Sequence, residues 1–234
     1  MAQVMRITAS EEIYQKLRNE ILSLRFEPGQ ELDLQLLCSQ LQVSRSPVRD
    51  ALMKLSGDNL VDIFPQKGTR VSCIDLKQVE EERFLRKSLE ESAVRKFVPI
   101  AQGKDIALME NAIEMQKKAM EAKDFIQFLE FDDTFHSIIF AGIYMERLWD
   151  ITKNQGGNHH RIRLLSFAEK DVLGNIIDQH KAMLEAIRQK DLEKVLAIEN
   201  NHLEKLLKET ELMMLRHPNY FKKEMPSAFL IPKN

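Results

Sequence analysis

The chain has 234 residues, with 34 Lys and Arg against 36 Asp and Glu, for a formal net charge of −2 at pH 7. Near-neutrality argues against a protein that coats nucleic acid indiscriminately, yet permits a locally basic reading surface. Hydrophobic residues make up 44% and charged residues 30%, with only eight glycines and seven prolines; this balance favours helix over sheet, in one large or two modest domains. No segment is apolar enough to cross a membrane, no signal-peptide core opens the sequence, and Cys38 and Cys73 make no metal-ligand spacing. Two reduced thiols in a cytoplasmic protein, away from any membrane, are the expectation.

In chain order, Ser10 is a cap-like residue, and Ile13, Leu17, Ile21 and Leu24 repeat at helical spacing over residues 10–25. Glu27-Pro28-Gly29 ends that helix. A second short helix covers Leu32 to Gln40 with Leu34 and Leu37, and Gln42-Val43 turns into a third. Ser44 and Ser46 suit a helix start, and Pro47 is tolerated only in a first turn. Val48, Ala51, Leu52 and Leu55 fill one face, while Arg45 and Arg49, four apart, project together from the other. Val61-Asp62-Ile63-Phe64, the turn Pro65-Gln66-Lys67-Gly68 and Thr69-Arg70-Val71-Ser72 read as a hairpin. Three helices and a hairpin make a winged helix-turn-helix, assigned to residues 1–74.

From Asp75 no strand signal and no internal repeat follows. Helical runs are predicted over Asp75–Val98, Lys104–Ala122, Asp124–Ala141, Met145–Asn154, Arg161–Phe167, Asp171–Lys190 and Leu192–Leu215. Breaks fall at Pro99, Gly103, Lys123-Asp124, Gly142, Gly156-Gly157 and Lys190-Asp191. The fold class is therefore mainly α: the winged domain, then an all-α antiparallel bundle over 75–215, then a tail over 216–234 that carries Tyr220 and Phe221.

The first 72 residues resemble the DNA-binding domain of GntR-family bacterial transcription regulators. The resemblance rests on Ile21-Leu22, Glu27-Pro28-Gly29, Leu32, Leu37, Leu41 and the run Val43 to Leu52. It continues through Leu55, Leu60-Val61, Pro65 and Gly68-Thr69-Arg70-Val71. The rest resembles the all-helical FCD-type effector domain of the FadR-like branch. Two positions depart from the family pattern: Gln42 and Asn59 stand where glycine is usual. Leu34-Gln35 replaces a typically charged pair, leaving a phosphate contact from the second helix unsupported.

The resemblance implies an operator-binding homodimer. Arg45 and Arg49 would fork onto guanine edges or phosphates, and Ser44, Ser46 and the free amides beside them suit phosphate oxygens. Lys67, Gly68 and Thr69 would form the wing tip. Taken singly, either arginine reads as an ordinary surface residue, and only the surrounding motif makes it a reader. Arg70 could equally lie on the strand face. Between Ser44 and Arg70, five positive residues face three negative ones, a surplus too small to argue alone.

Asp132 and His136 are i,i+4 and share a helix face. His180 and His202 flank the tight Lys190-Asp191 turn at similar distance along two antiparallel helices. Three imidazoles and a carboxylate suit a divalent ion, Zn foremost, with Ni, Mn or Fe as alternatives. A single histidine would more often be structural; the family-like pattern Asp-x-x-Phe-His, Gln-His and Asn-His-Leu supports the joint assignment. Asp133, the rival for Asp132, is expected to be solvated. His159-His160 reads as a loop, with a second metal site the weaker reading, and His217 has no evident partner. The resemblance also implies that Arg86 faces a cavity for a small carboxylate effector, against a surface ion pair with Glu82 or Glu90. Arg163, and with it Arg161, lines that cavity or lies on a solvated face.

The leading reading is a ligand-responsive transcription regulator, by default a repressor released by its ligand. A metal-dependent enzyme using the Asp/His set, and a regulator with a purely structural metal, are the alternatives.

Overall fold

The computed structural model describes residues 8–169, 171–204 and 206–223. The described residues separate into two compact units, those up to Leu76 together with those from His217 onward, and those between Lys77 and Arg216.

In the first unit, α1 (Ala9–Leu22) begins one turn position earlier than its sequence suggests. Thr8, not Ser10, is the N-cap, its hydroxyl accepting from the Glu11 amide. Next come β1 (Glu31–Leu32), α2 (Leu34–Leu41), α3 (Arg45–Gly57), β2 (Val61–Phe64) and β3 (Gly68–Val71). β1 is not predicted by the sequence, which starts the second helix at Leu32; two residues carry no readable alternation. Its residues are drawn out by pairing, Glu31 opposite Arg70 and Leu32 opposite Thr69, in an antiparallel sheet of order β1-β3-β2. Asp33 then caps α2 by accepting from the Gln35 and Leu36 amides. Gln42 (φ 55°) and Asn59 (φ 58°) are both left-handed, the conformation that makes glycine usual there. Leu17, Ile21, Val48, Leu52, Leu55 and Val61 close a single core.

The second unit holds α4 (Leu76–Ile100), α5 (Gly103–Glu121), α6 (Phe125–Gly142), α7 (Glu146–Gln155), α8 (Gly157–Ser166), α9 (Val172–Arg188), α10 (Leu192–Glu204) and α11 (Leu206–Arg216). Pro99 sits in the last turn of α4, not beyond it; one missing N–H is tolerable where the helix is ending anyway. Two hairpin turns share one device. Lys123 and Lys190 turn left-handed (φ 55° and 58°), and the next residue, Asp124 or Asp191, accepts from an amide three residues on. α5 packs on α6 and α9, and α9 on α10. This brings the inward faces of α6, α9 and α10 to one place. Arg161, placed by sequence near a cavity or on a solvated face, is fully buried and donates to Asn158, whose amide in turn meets Gln78 and Glu82 on α4. It ties α8 to α4.

The described part of the tail belongs with the first unit. Ile74 donates to Tyr220 O at 2.7 Å and accepts from the Lys222 amide at 3.0 Å, while Phe221 is buried and Lys222 pairs with Asp75 at 3.1 Å. His217, expected to be unpartnered, stacks on Tyr220 with ring centroids 5.0 Å apart.

Gly142 ends α6 against the fully buried Phe97 of α4, and a Cβ there would overlap the ring. Gly142→Ala is expected to destabilise the protein by about 1–3 kcal/mol through overpacking. Urea unfolding checks this, and adding Phe97→Leu should restore part of the loss.

Candidate functional site

The buried centre of the second unit is polar. Asp132 and His136 project from one face of α6, His180 enters from α9 and His202 from α10, and their ligand atoms all lie within 4.8 Å of one another. Asp132, His136 and His180 are essentially inaccessible, and His202 is half-buried. Asp132 Oδ1 is 3.6 Å from His180 Nε2, and Oδ2 is 3.9 Å from His136 Nε2.

Two of the three imidazoles are oriented through their other nitrogen. Nδ1–H of His180 donates to Gln116 Oε1 of α5, and that of His202 to Gln179 Oε1 of α9, both at 2.9 Å. Nδ1 of His136 lies 2.6 Å from Glu90 Oε2 of α4 without the alignment of a made hydrogen bond. Nε2 of His136 and of His180 is buried and unpartnered. Buried nitrogens left without hydrogen bonds are costly unless something else fills their lone pairs. Two such acceptors, with the half-buried His202 imidazole and the Asp132 carboxylate beside them, fit a divalent cation, with the Nδ1 partners of His180 and His202 as the outer shell that fixes their tautomers.

The surrounding charges are strongly coupled. Burial alone would depress the Arg86 guanidinium, but Glu90, Asp132 and Asp133 push it upward instead. Arg86 bonds Glu90 and lies 3.9 Å from Asp132. Burial would raise Glu90, yet Arg86 and His136 hold it well below the usual carboxylate range. Glu199, buried beside Glu90 and 3.7 Å from His136 Nδ1, is pushed well above that range by burial and by Glu90. Burial holds His159, His180 and His202 well below the ordinary imidazole range.

A small cavity, of about 50 Å³, opens on the Asp132–His202 side. Arg86, His159, Arg163 and Gln179 supply its polar wall, and Phe167, Val172, Ile176 and Leu203 its apolar one. Arg163 donates to Asp132 and, at 3.0 Å, to Asp133. Three sequence expectations need correction here. Asp133 is buried, not solvated, because Arg163 neutralises it and outweighs the burial that would raise its carboxyl. His159 and His160 lie in α8, not a loop, since the helix starts at Gly157. Neither belongs to a second metal cluster among the described residues. Arg86 does bond Glu90, as the alternative reading allowed, but buried in the cavity wall, not at the surface.

Glu90, Gln116, Gln179 and Glu199 were not singled out as site residues. Glu90 was visible as the i,i+4 partner of Arg86, and Gln179 as the residue before His180. Gln116 and Glu199 carried no signal, because a polar residue on a helix's inner face is indistinguishable in sequence from one at its edge.

In the first unit, Ser44, Arg45, Ser46 and Arg49 are exposed around the start of α3, opposite the buried Val48, Ala51 and Leu52. Ser44 is the N-cap but makes no side-chain capping bond, so its hydroxyl is not committed to the helix. Lys67 and Gly68 are exposed at the hairpin tip, with Gly68 at φ 101° and Thr69 half-buried. Arg70 lies along the strand and pairs with Glu31 at 2.5 Å.

Residues 9–71 match the domain described as bacterial regulatory proteins, gntR family, and residues 83–205 match the FCD domain. The chain belongs to the GntR family. It is 26% identical over 215 residues to the HTH-type transcriptional repressor RspR of Escherichia coli K12, covering 92% of this chain and 94% of that protein. It is 27% identical over 194 residues to the gluconate operon transcriptional repressor of Bacillus subtilis 168, covering 80% and 78%. The solved structure of E. coli McbR/YncC shares the fold, with a TM-score of 0.73 at 20% identity over 91% of this chain and all of that one. This GntR-family chain is thus a transcription regulator with a winged helix-turn-helix and an FCD domain, and its relatives are regulators, not enzymes. Among the described residues no helix is long and apolar enough to cross a membrane.

The depressed imidazoles set a pH dependence for the metal-free protein. Below about pH 6.5 the unfolded chain protonates His159, His180 and His202 while the folded chain keeps them neutral, so stability falls as pH falls. Glu199 and Glu82, both raised, act in the opposite sense above about pH 4.5, each only up to its own raised folded value. Unfolding free energies from urea titrations at pH 7.0 and 5.5 should differ by about 1 kcal/mol or more in favour of pH 7.0. Equal free energies would show that the histidines titrate freely.

Proposed function

We propose that this regulator is a homodimeric, operator-binding repressor whose FCD unit takes a divalent metal and a small carboxylate effector. The observation that supports the input site most directly is the convergence of Asp132, His136, His180 and His202, with Nδ1 of His180 and of His202 already bonded to glutamine carbonyls. These four residues would hold the ion, with Zn the first candidate and Ni, Mn or Fe behind it. The bound ion would supply a Lewis-acidic position for a ligand oxygen at the cavity edge. Arg86 and Arg163 supply forked N–H donors suited to a carboxylate. Arg163 now bonds Asp132 and Asp133, so an anionic ligand would compete for a guanidinium already in place.

Output is assigned to α3 and the wing. Ser44, Arg45, Ser46 and Arg49 would meet base edges and phosphates in the major groove, and Lys67, Gly68 and Thr69 would lie at the neighbouring minor groove. Two copies would read the halves of a pseudo-palindromic operator in the cytoplasm. A ligand alters operator affinity only if it binds two arrangements of the protein unequally.

Trp149, the single tryptophan, lies 5.5 Å from the Arg86 guanidinium, so its emission should report filling of the site. Zinc titrated into metal-free protein should bind and should be required for carboxylate binding. A panel of carboxylates should then contain one that changes operator affinity. If none binds the zinc-loaded protein or alters DNA binding, the regulatory reading is wrong. His136→Ala with His202→Ala should abolish the zinc equivalent; wild-type metal content in that variant would refute the site. Arg45→Ala should weaken operator binding by about 1–3 kcal/mol with zinc content unchanged, and full affinity would refute the role given to α3.

A further inference from the structure

Three side chains hold the three imidazoles from behind, and they differ in access. Glu90 and Gln116 are completely buried. Gln179 is half-buried and lines the cavity together with His202, Arg86 and Arg163. It is therefore the one outer partner, among the described residues, that a bound molecule can touch. Its carbonyl is committed to His202 Nδ1–H, which leaves its amide N–H groups as donors. The two arginines already provide what a carboxylate needs. The apolar part of the lining, Phe167, Val172, Ile176 and Leu203, offers no side-chain hydrogen bond, and the hydroxyl of Ser166, which also lines the cavity, already donates to Arg163 O.

We propose that Gln179 both fixes His202 for the metal and selects the effector, its amide donating to a second oxygen next to the ligand carboxylate. The ligand class is a small carboxylic acid with a hydroxyl or keto oxygen beside the carboxylate and a compact apolar remainder. This rests on the metal-and-carboxylate reading above and adds to it a residue and a substituent. A neutral amide suits the task because it accepts and donates at once. A carboxylate at this position would accept from His202 equally well, as Glu90 is placed to do for His136, but could not donate when ionised.

Lactate and propanoate differ at this point by one hydroxyl, and calorimetry on zinc-loaded protein compares them directly. Wild type is expected to prefer lactate by about 5- to 10-fold, the worth of one hydrogen bond. Gln179→Glu should abolish that preference while tightening zinc, because a charged acceptor makes His202 a better ligand. Gln179→Leu should abolish it and weaken zinc about 10-fold or more. Opposite zinc shifts in the two variants, with the same loss of discrimination, would not follow from simple damage to the fold. Discrimination retained in Gln179→Glu, or absent from wild type that binds both acids, overturns this proposal and leaves the parent reading standing. Wild type that binds neither zinc nor either acid overturns both.

Discussion

A carboxylate at the centre of a helical bundle is the constraint around which the second unit is organised. Asp132 is almost fully buried, and an isolated ionised carboxylate in such a place would cost several kcal/mol. It is tolerated because cations and N–H donors reach it from other helices: Arg86 from α4 and Arg163 from α8, with His180 of α9 beside it. The packing of four helices thus depends on one charge being matched, and a change at any partner is felt by the others.

That arrangement joins the buried site to the architecture. Arg163 sits on α8, which is bound to α4 through Arg161, Asn158 and Glu82, and α8 also packs on α11. α4 leaves the winged unit at Leu76, and α11 runs to Arg216, after which the chain returns to pair with Ile74. The FCD unit is consequently connected to the winged unit by chain at both of its ends. A shift of α8 relative to α4 or α11 has two covalent routes outward, not one.

The architecture was largely legible in the sequence because its signals are local. Periodic apolar residues, the Lys-Asp hairpin turns and the Pro47 helix start each specify their own neighbourhood, and the observed helix limits follow them within a few residues. β1 was not legible, since Glu31–Leu32 is extended only through its partner β3. The central set Asp132, His136, His180 and His202 was legible for a similar reason, as two i,i+4 positions and a hairpin geometry suffice to bring them together. The outer partners were not. Gln116 lies 64 residues from His180, and nothing near it in sequence distinguishes it from a solvated glutamine. Asp133 misled for the converse reason: helical rotation turns it from His136 but says nothing of an arginine arriving from α8.

The directions of the shifts also bear on what the cluster can admit. Burial would raise Glu90 and Asp133, yet Arg86 holds the first and Arg163 the second below the usual carboxylate range. Burial holds His180 and His202 well below the ordinary imidazole range and pushes Glu199 well above the carboxylate one. Each guanidinium is already matched by carboxylates of the chain, Arg86 by Glu90 and Arg163 by Asp132 and Asp133. An unmatched buried charge is far more costly than an exposed one, so an anion entering beside these residues would have to displace an existing pair or arrive with a cation. Nε2 of His136 and of His180, buried without hydrogen-bond partners, are the atoms suited to such a cation, and the metal proposed above would be that companion charge.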